Sequence, residues 1–313
     1  MLVRRCVWMG IVVCGCAALR VITAQDAPPR KAAPDDASEV KTAKPATSIP
    51  SDPLIDVQRG TLPIIICAPH GGLEDVPGVP RRVNRPANPP PGTPRWVTGT
   101  DVNTRPLAQK IAADLERRLG GKPYFVMARF ARKYIDANRA AENSYEVPAA
   151  KFYHDAYHHT IDEFCREIQK QHGAGLLVDV HGQASFKDEI LVGTVGGQTV
   201  KLLIERKGRE ALVGREGVVG FLIDAGIKPK PVLNSEDLNV SAGLNGGYTV
   251  QTYGSHQPAG IDAVQFEYGS NYRAKENIDD AGTRTADAIE KFYRAYLAKQ
   301  KAAAAPGAAT QAK

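Results

Sequence analysis

Two short apolar runs, each followed at once by histidine and glycine, constrain this chain more than any other feature. Residues 62–68 (LPIIICA) lead into Pro69-His70-Gly71-Gly72, and residues 175–182 read GLLVDVHG. Apolar runs of this length bounded by glycine are typical of strands buried on both faces of a parallel or mixed sheet. Ligand sites in such sheets lie beyond the carboxyl ends of the strands. The two runs therefore predict a metal site at one sheet edge, with His70 and His181 in it.

The rest of the chain alternates between strand and helix patterns. Helices are expected over residues 105–119, 149–171 and about 277–298, with a glycine-interrupted helical region over about 200–226. Further strands are expected at 124–130, 133–136, 189–194 and 263–268, whereas 228–249 has the composition of a loop. Such alternation indicates a three-layer α/β fold, in which helices cover both faces of a mostly parallel or mixed central sheet.

The two ends of the chain differ from its middle in composition. Arg4 and Arg5 precede an apolar stretch of signal-peptide length, so residues 1–24 are predicted to be an export signal. A lipoprotein is the alternative, because residues 13–16 (VCGC) form a weak lipobox. Residues 25–52 and 301–313 contain few large apolar side chains and are predicted to be a disordered linker and tail. The prediction is thus an exported protein, periplasmic or extracellular, with a catalytic domain over 53–300 and no membrane span after processing.

Cysteine content and charge exclude several classes of function. Of the five cysteines, only Cys67 and Cys165 lie outside the predicted signal, and no CxxC pair occurs, which argues against zinc-ribbon and redox proteins. The net charge of +6 is modest, and no basic run is interleaved with aromatic residues. Nucleic-acid binding is therefore not expected.

Four polar residues are candidates for a reactive centre at the predicted sheet edge. They are His70, Asp101, His181 and Glu267, all of which follow or end an apolar strand or precede a helix. A catalytic zinc takes three protein ligands from His, Asp and Glu, leaves a fourth position open, and lowers the pKa of water. A nearby carboxylate that is not a ligand can then transfer a proton to the leaving group.

Six short motifs follow one another along the chain in a fixed order. They are PHGG (69–72), TD (100–101), RKYIDANR (132–139), DVHG (179–182), GGYTVQTYG (246–254) and AVQFEYG (263–269). Over roughly residues 60–295, this succession resembles the N-formylglutamate amidohydrolase family. The resemblance implies a zinc carboxypeptidase-like fold and zinc-dependent hydrolysis of a C–N amide bond.

The resemblance also implies roles for individual residues. One zinc ion per chain would be held by His70, His181 and Asp101, with Glu74 as the alternative third ligand although its spacing from His70 is one residue longer than HxxE. Glu267 would be the general base. Arg139 would bind substrate or steady the oxyanion, and a buried ion pair with Asp136 is the alternative for this arginine.

The same resemblance suggests which residues support that centre. Asp136 and Asp179 would orient the ligands, although Asp179 is equally well explained as an acid that caps a turn. Substrate contacts are expected from Asn138 and from the loop Asn245, Gly246 and Gly247, where backbone can approach a ligand closely. His158 is expected near the site. Its i, i+4 spacing from His154 also permits a separate metal pair.

The predicted function is an exported zinc amidohydrolase that acts on an N-formyl or N-acyl amino acid or a similar small amide. Tyr248, Gln251 and Thr252 stand where family members often have His and Arg. Together with the export signal, this departure favours a substrate other than N-formylglutamate. The alternatives are a zinc peptidase or cell-wall amidase on the same fold, and a non-catalytic binding module.

Overall fold

The structure is a computed structural model, and it describes residues 51–83 and 97–298. The predicted export signal, nearly all of the predicted linker and the predicted tail lie outside the described residues. The described residues cover most of the predicted catalytic domain, residues 53–300.

Seven strands form one mixed sheet with the order β1-β3-β2-β4-β7-β5-β6. The strands are β1 (Ile55–Gln58), β2 (Ile64–Ala68), β3 (Tyr124–Ala128), β4 (Leu176–Gly182), β5 (Ile190–Gly193), β6 (Pro229–Lys230) and β7 (Asp262–Tyr268). The four central strands β3, β2, β4 and β7 are parallel to one another, and β1 and β5 run antiparallel to β3 and β7. The carboxyl ends of the parallel strands therefore meet at one edge.

Helices cover both faces of this sheet. Within the described residues they are α1 (Thr104–Leu119), α2 (Ala141–Ser144), α3 (Lys151–His172), α4 (Lys201–Lys207), α5 (Glu210–Val213), α6 (Val218–Asp224), α7 (Tyr248–Tyr253) and α8 (Ile278–Phe292). One core lies between the sheet and α1, α4, α5, α6 and α8, and the other lies between the sheet and α3 and α7. The predicted three-layer α/β fold is confirmed.

The apolar runs of the sequence become the central strands because both of their faces are buried. In β2, Ile64 and Ile66 pack into the core beneath α1 and α8, while Ile65 and Cys67 pack toward α3. All five residues of β2 are buried. A strand covered on both faces has no polar alternation, which is why the run reads as continuously apolar.

Glycines end the two longest helices where the sequence predicts. Gly120 and Gly173 adopt left-handed φ angles of 68° and 73°, and their N–H groups bond to Glu116 and Gln169 carbonyls of the last turn. Glycine is favoured there because it has no Cβ to strain this conformation. Across residues 51–83 and 97–298, no helix combines the length and the apolar character that crossing a membrane requires.

Some expected elements are wrong, and the reason in each case is a tertiary contact. Residues 133–136 form turns and not a strand, because the Asp136 carboxylate accepts the Asn138 N–H at 3.1 Å and the Asp136 N–H donates to Ser144 O. The region read as a loop contains β6 and the start of α7, and β1 was not expected. These short elements pack on the larger sheet and have little pattern of their own.

Candidate functional site

Three predicted metal ligands converge at the carboxyl edge of the parallel strands. His70 follows β2, Asp101 precedes α1, and His181 lies near the end of β4. Asp101 Oδ2 is 3.4 Å from His70 Nδ1 and 3.2 Å from His181 Nδ1. The three ligand atoms all lie within 4.8 Å of one another, and the three side chains are buried. This arrangement can hold a metal ion.

The outer nitrogen of each histidine is held by a carboxylate. His70 Nε2 lies 2.6 Å from Asp136 Oδ1, and His181 Nε2 lies 2.9 Å from Asp179 Oδ2. Metal-binding histidines almost always donate their other ring N–H in this way, which fixes the tautomer and the ring orientation. His70 Nδ1 is buried and has no hydrogen-bond partner among the described residues. Both imidazoles therefore present Nδ1 inward, and the donor set fits a divalent metal.

A close approach of the backbone explains Gly71 of the PHGG motif. A Cβ on Gly71 would lie 2.4 Å from the Arg105 backbone nitrogen, so only glycine lets the start of α1 pass this close. That approach allows the Asp101 N–H to donate to His70 O at 3.0 Å. Gly182 N–H donates to Asp101 Oδ2 at 3.1 Å, which ties Asp101 to the end of β4 as well. The backbone thus fixes Asp101 between the two histidines.

The negative charges of Asp101 and Asp179 favour a proton or a metal cation between these carboxylates and His181. Burial alone lowers the pKa of His181, but Asp179 and Asp101 outweigh it and hold that pKa well above its ordinary value. Burial alone raises the pKa of Asp101, and the neighbouring His181 and His70 more than reverse this. A metal cation would satisfy the same carboxylates in place of the proton.

Arg132 belongs to this centre, although the sequence analysis gave it no role. Its side chain is buried, its Nε donates to Asp136 Oδ2 at 2.9 Å, and its Nη1 donates to Asp101 Oδ1 at 3.4 Å. The motif RKYIDANR places Arg132 four residues before Asp136, and this spacing can be read from the sequence. The two side chains come into contact only because the segment between them forms a turn. Asp136 pairs with Arg132 and, at 3.8 Å, with Arg82, but not with Arg139.

Glu267 lies beside the histidines on the neighbouring strand. Residues His181 of β4 and Glu267 of β7 are paired in the parallel register. Glu267 Oε1 accepts a hydrogen bond from Gln265 Nε2 at 2.9 Å, whereas the buried Oε2 has no partner among the described residues. Burial raises the pKa of Glu267 to about 7. A carboxyl group with a pKa near neutrality can both accept and return a proton.

The raised pKa of Glu267 predicts how the stability of the metal-free protein depends on pH. Below pH 4.5 Glu267 is neutral in both states, and between pH 4.5 and about 7 only the unfolded state gives up its proton, so stability falls as the pH rises. We expect Glu267→Gln to match the wild type at pH 4 and to exceed its free energy of unfolding by about 1–3 kcal/mol at pH 8. Urea denaturation of both metal-free proteins across this range measures the difference. A difference that does not change with pH would contradict the assignment.

A cavity of about 640 Å³ opens onto these residues. Its lining includes the three ligands, Glu267, Arg132, Asn138, Arg139 and Gly247. Arg139 is partly buried, and its Nη1 donates to Asn138 O at 2.6 Å. Asn138 Oδ1 accepts the Thr249 N–H at 2.8 Å. The cavity thus combines a reactive edge with one wall that carries a guanidinium group.

Gly247 is the glycine of the predicted substrate loop that contacts this wall. A Cβ on Gly247 would lie 2.1 Å from Asn138 Nδ2, and the Gly247 N–H donates to Gln265 Oε1 at 2.7 Å. Gln265, which the sequence analysis did not single out, therefore connects the loop to Glu267. Its only sequence signal is the strand alternation that places it on the same face as Glu267.

The close approach of Gly247 to Asn138 predicts that adding one methyl group at residue 247 destabilises the protein. We expect Gly247→Ala to push Asn138 from its position and to lower the free energy of unfolding by about 1–3 kcal/mol, as overpacked sites do. Thermal unfolding measures the loss. Gly99→Ala is the matched control, because no atom of the described residues lies within 4 Å of the added Cβ there. Equal melting temperatures for the two variants would show that the loop gives way without cost.

Three predicted residues lie outside the centre. Glu74 is exposed, lies 3.8 Å from Arg129 and does not approach the histidines, so the structure places Asp101 and not Glu74 with them. Asn245 bonds within its own loop, where Nδ2 donates to Asn239 and Oδ1 accepts the Val240 N–H. Gly246 provides a turn with φ of 116°. Asn245 and Gly246 thus shape the predicted substrate loop. Of that loop's residues Asn245, Gly246 and Gly247, only Gly247 lines the cavity.

The pair His154 and His158 lies beneath the DANR segment and not in the cavity. His154 Nε2 is 3.0 Å from Arg139 O, and His158 Nε2 is 2.9 Å from Ala137 O. Burial, together with the neighbouring His154, lowers the pKa of His158 to about 3, so its ring is neutral. Both rings therefore support the backbone that carries Asn138 and Arg139. The described residues offer this pair no third metal ligand.

Comparison with known proteins supports the fold. No protein-family model and no curated protein matches the sequence. N-formylglutamate amidohydrolase from Ralstonia eutropha JMP134 has a similar structure, with a TM-score of 0.51, 13% identity, and coverage of 79% of this chain and 99% of that one. A gene product from Agrobacterium tumefaciens follows with a TM-score of 0.47, 13% identity, and coverage of 77% and 96%. The fold that the six motifs imply is confirmed: this chain folds like N-formylglutamate amidohydrolase.

Proposed function

We propose that this protein is a zinc-dependent amidohydrolase that cleaves the C–N bond of an N-acyl amino acid or a similar small amide. The observation that carries the proposal is the convergence of His70 Nδ1, His181 Nδ1 and Asp101 Oδ2 beside Glu267 Oε2, which has no hydrogen-bond partner among the described residues. Two imidazoles and one carboxylate are the donor set of many catalytic zinc sites. The fold shared with an amidohydrolase agrees with the proposal.

Zinc held by His70, Asp101 and His181 would supply Lewis acidity at the amide carbonyl and lower the pKa of water. Glu267 Oε2 accepts a proton from the water whose oxygen attacks the carbonyl carbon. Glu267 then gives this proton to the amide nitrogen as the C–N bond breaks, so that an amine and a carboxylic acid leave. Asp136 and Asp179 keep the two imidazoles oriented throughout.

Arg132 and Arg139 have different roles in this proposal. Arg132 is committed to Asp136 and Asp101, so its charge balances the buried carboxylates. Arg139 faces the cavity, and no described carboxylate lies within ion-pair distance of it. Its planar guanidinium suits an anionic end group of the substrate or the oxyanion that develops during attack. A substrate with a free carboxylate next to the scissile amide fits this wall.

The test combines metal analysis with a substrate panel. We expect about one zinc per chain and turnover of at least one class among N-formyl amino acids, N-acetyl amino acids, short peptides and muropeptide amides. Preference for peptides or muropeptides would favour the peptidase or cell-wall amidase alternative on the same chemistry. A folded protein that takes up no zinc and cleaves none of these amides would leave the non-catalytic binding module. Export, which the predicted signal implies, is tested separately by locating the processed chain.

A further inference from the structure

We propose that Arg273 is a positioning residue that holds three separate segments of the active site together. This inference rests on the proposed function, since it concerns the geometry of the same metal-binding centre. Arg273 lies on the turn after β7, and it does not line the cavity. It therefore acts through backbone and not by touching substrate or metal.

The guanidinium of Arg273 donates to three backbone carbonyls from three parts of the chain. Nη1 donates to Val102 O at 2.5 Å, Nη2 to Gln183 O at 3.0 Å, and Nε to Tyr268 O at 3.0 Å. Arginine is suited to this task because its planar fork offers five N–H donors in fixed directions. A lysine ammonium is a point charge on a flexible chain and cannot reproduce the three directions.

Each of these carbonyls stands next to a residue of the active site. Val102 follows Asp101, and Tyr268 follows Glu267. Gln183 is two residues beyond His181, directly after the end of the same strand. One side chain thus joins the segments that carry a carboxylate ligand, a histidine ligand and the proposed general base.

Gly182 provides an independent sign that this contact is built into the site. A Cβ on Gly182 would lie 2.5 Å from both Nε and Cζ of Arg273. The absence of a side chain here lets the guanidinium lie directly across the end of β4. This explains the glycine of the DVHG motif, because any larger residue would push Arg273 away.

The backbone of Arg273 is anchored in turn. Its carbonyl accepts a hydrogen bond from Asn103 Nδ2 at 2.8 Å, and Asn103 has a left-handed φ of 66°. Asparagine tolerates this conformation better than most residues. Val102 and Asn103, which follow Asp101 directly, are therefore both bonded to Arg273, and this pins the start of α1 to the turn after β7.

Loss of these three bonds should loosen the centre without removing any ligand. Metal and catalytic groups work only when held within about 0.5 Å of the productive geometry. Changes in groups that merely support metal ligands typically weaken metal binding by about 10- to 100-fold. We expect a loss of this size for zinc in Arg273→Ala, and a partial loss in Arg273→Lys.

The experiment measures zinc affinity of the full chain by competition with a chromophoric chelator, in wild type and variants. Arg206→Ala is the matched control, because the Arg206 guanidinium also bonds to a buried acceptor, Asp262, at the opposite end of β7. We expect Arg206→Ala to retain wild-type zinc affinity. Addition of ethylguanidinium should restore part of the affinity of Arg273→Ala but have no effect on Arg206→Ala.

Gly182→Ala keeps the arginine and displaces it, so it tests the same contact if Arg273→Ala does not fold. Wild-type zinc affinity in a folded Arg273→Ala or Gly182→Ala variant would overturn the inference and leave the proposed function intact. A wild type that binds no zinc would instead overturn the proposed function. In that case histidine side-chain NMR of the metal-free proteins decides the inference, since the His181 ring signals should shift in Arg273→Ala and not in Arg206→Ala.

Discussion

Replacing Glu267 with glutamine is expected to reduce kcat by about 10²- to 10⁴-fold while zinc content stays unchanged. General acid–base groups contribute rate enhancements of this size, and Glu267 is proposed to move the proton in both halves of the reaction. Glutamine has nearly the same shape, and its amide oxygen can still accept the hydrogen bond that Gln265 donates to Oε1. Steady-state kinetics on the best substrate of the panel, together with metal analysis of the same sample, measures both quantities.

Glu290→Gln is the matched control for this variant. Glu290 is partly buried and lies on α8, where it pairs with Arg118 and Arg294, and it does not line the cavity. We expect it to keep wild-type kcat. If Glu267→Gln retained more than a tenth of wild-type turnover, Glu267 would not be the proton carrier. If it lost zinc, the carboxylate would instead be a ligand.

Removing the His181 imidazole is expected to weaken zinc binding on the order of 10³-fold or more. The change deletes one of three protein ligands, and each contributes a large share of the binding free energy. Asp179→Asn leaves the imidazole in place and removes only the charge that orients it, so we expect a smaller loss of about 10- to 100-fold. Chelator competition on His181→Ala and Asp179→Asn measures both values under one set of conditions.

The order of these two losses is the decisive result. His159→Ala serves as a control because His159 is exposed on α3, away from the cavity, and it should bind zinc as the wild type does. Equal losses in His181→Ala and Asp179→Asn would mean that Asp179 is itself a ligand. Unchanged zinc affinity in a folded His181→Ala variant would exclude this centre as the metal site.

The sequence predicts those parts of the fold that depend on local pattern. The strands β2, β4 and β7 are recognisable because burial on both faces makes them rich in apolar residues, and Gly120 and Gly173 mark where the two longest helices end. Apolar runs and glycine conformation depend on a few neighbouring residues, so one sequence is enough to read them. The meeting of His70 with His181 follows from parallel pairing alone.

Contacts set by turns and loops could not be predicted in the same way. Arg132 meets Asp136 because residues 131–139 fold as turns, whereas a strand there would have placed the two residues about 13 Å apart on the same face. The choice of Asp101 over Glu74 depends on how closely α1 approaches His70, which Gly71 allows. Asn245 lies in a motif that reads as substrate-facing, yet its side chain is used within the loop. In each case the deciding partner is distant in sequence.

The order of the strands in the sheet determines when the proposed metal-binding centre forms during folding. β2, β4 and β7 are neighbours in space, but long helical segments separate them along the chain. A nascent chain that ends before Asp262 already contains both histidines and Asp101, but it lacks the strand against which β4 pairs and the residue Arg273. Long-range pairings of this kind form late because loop closure must come first. Metal uptake would then be a marker of completed folding, one that truncated or misassembled chains do not display.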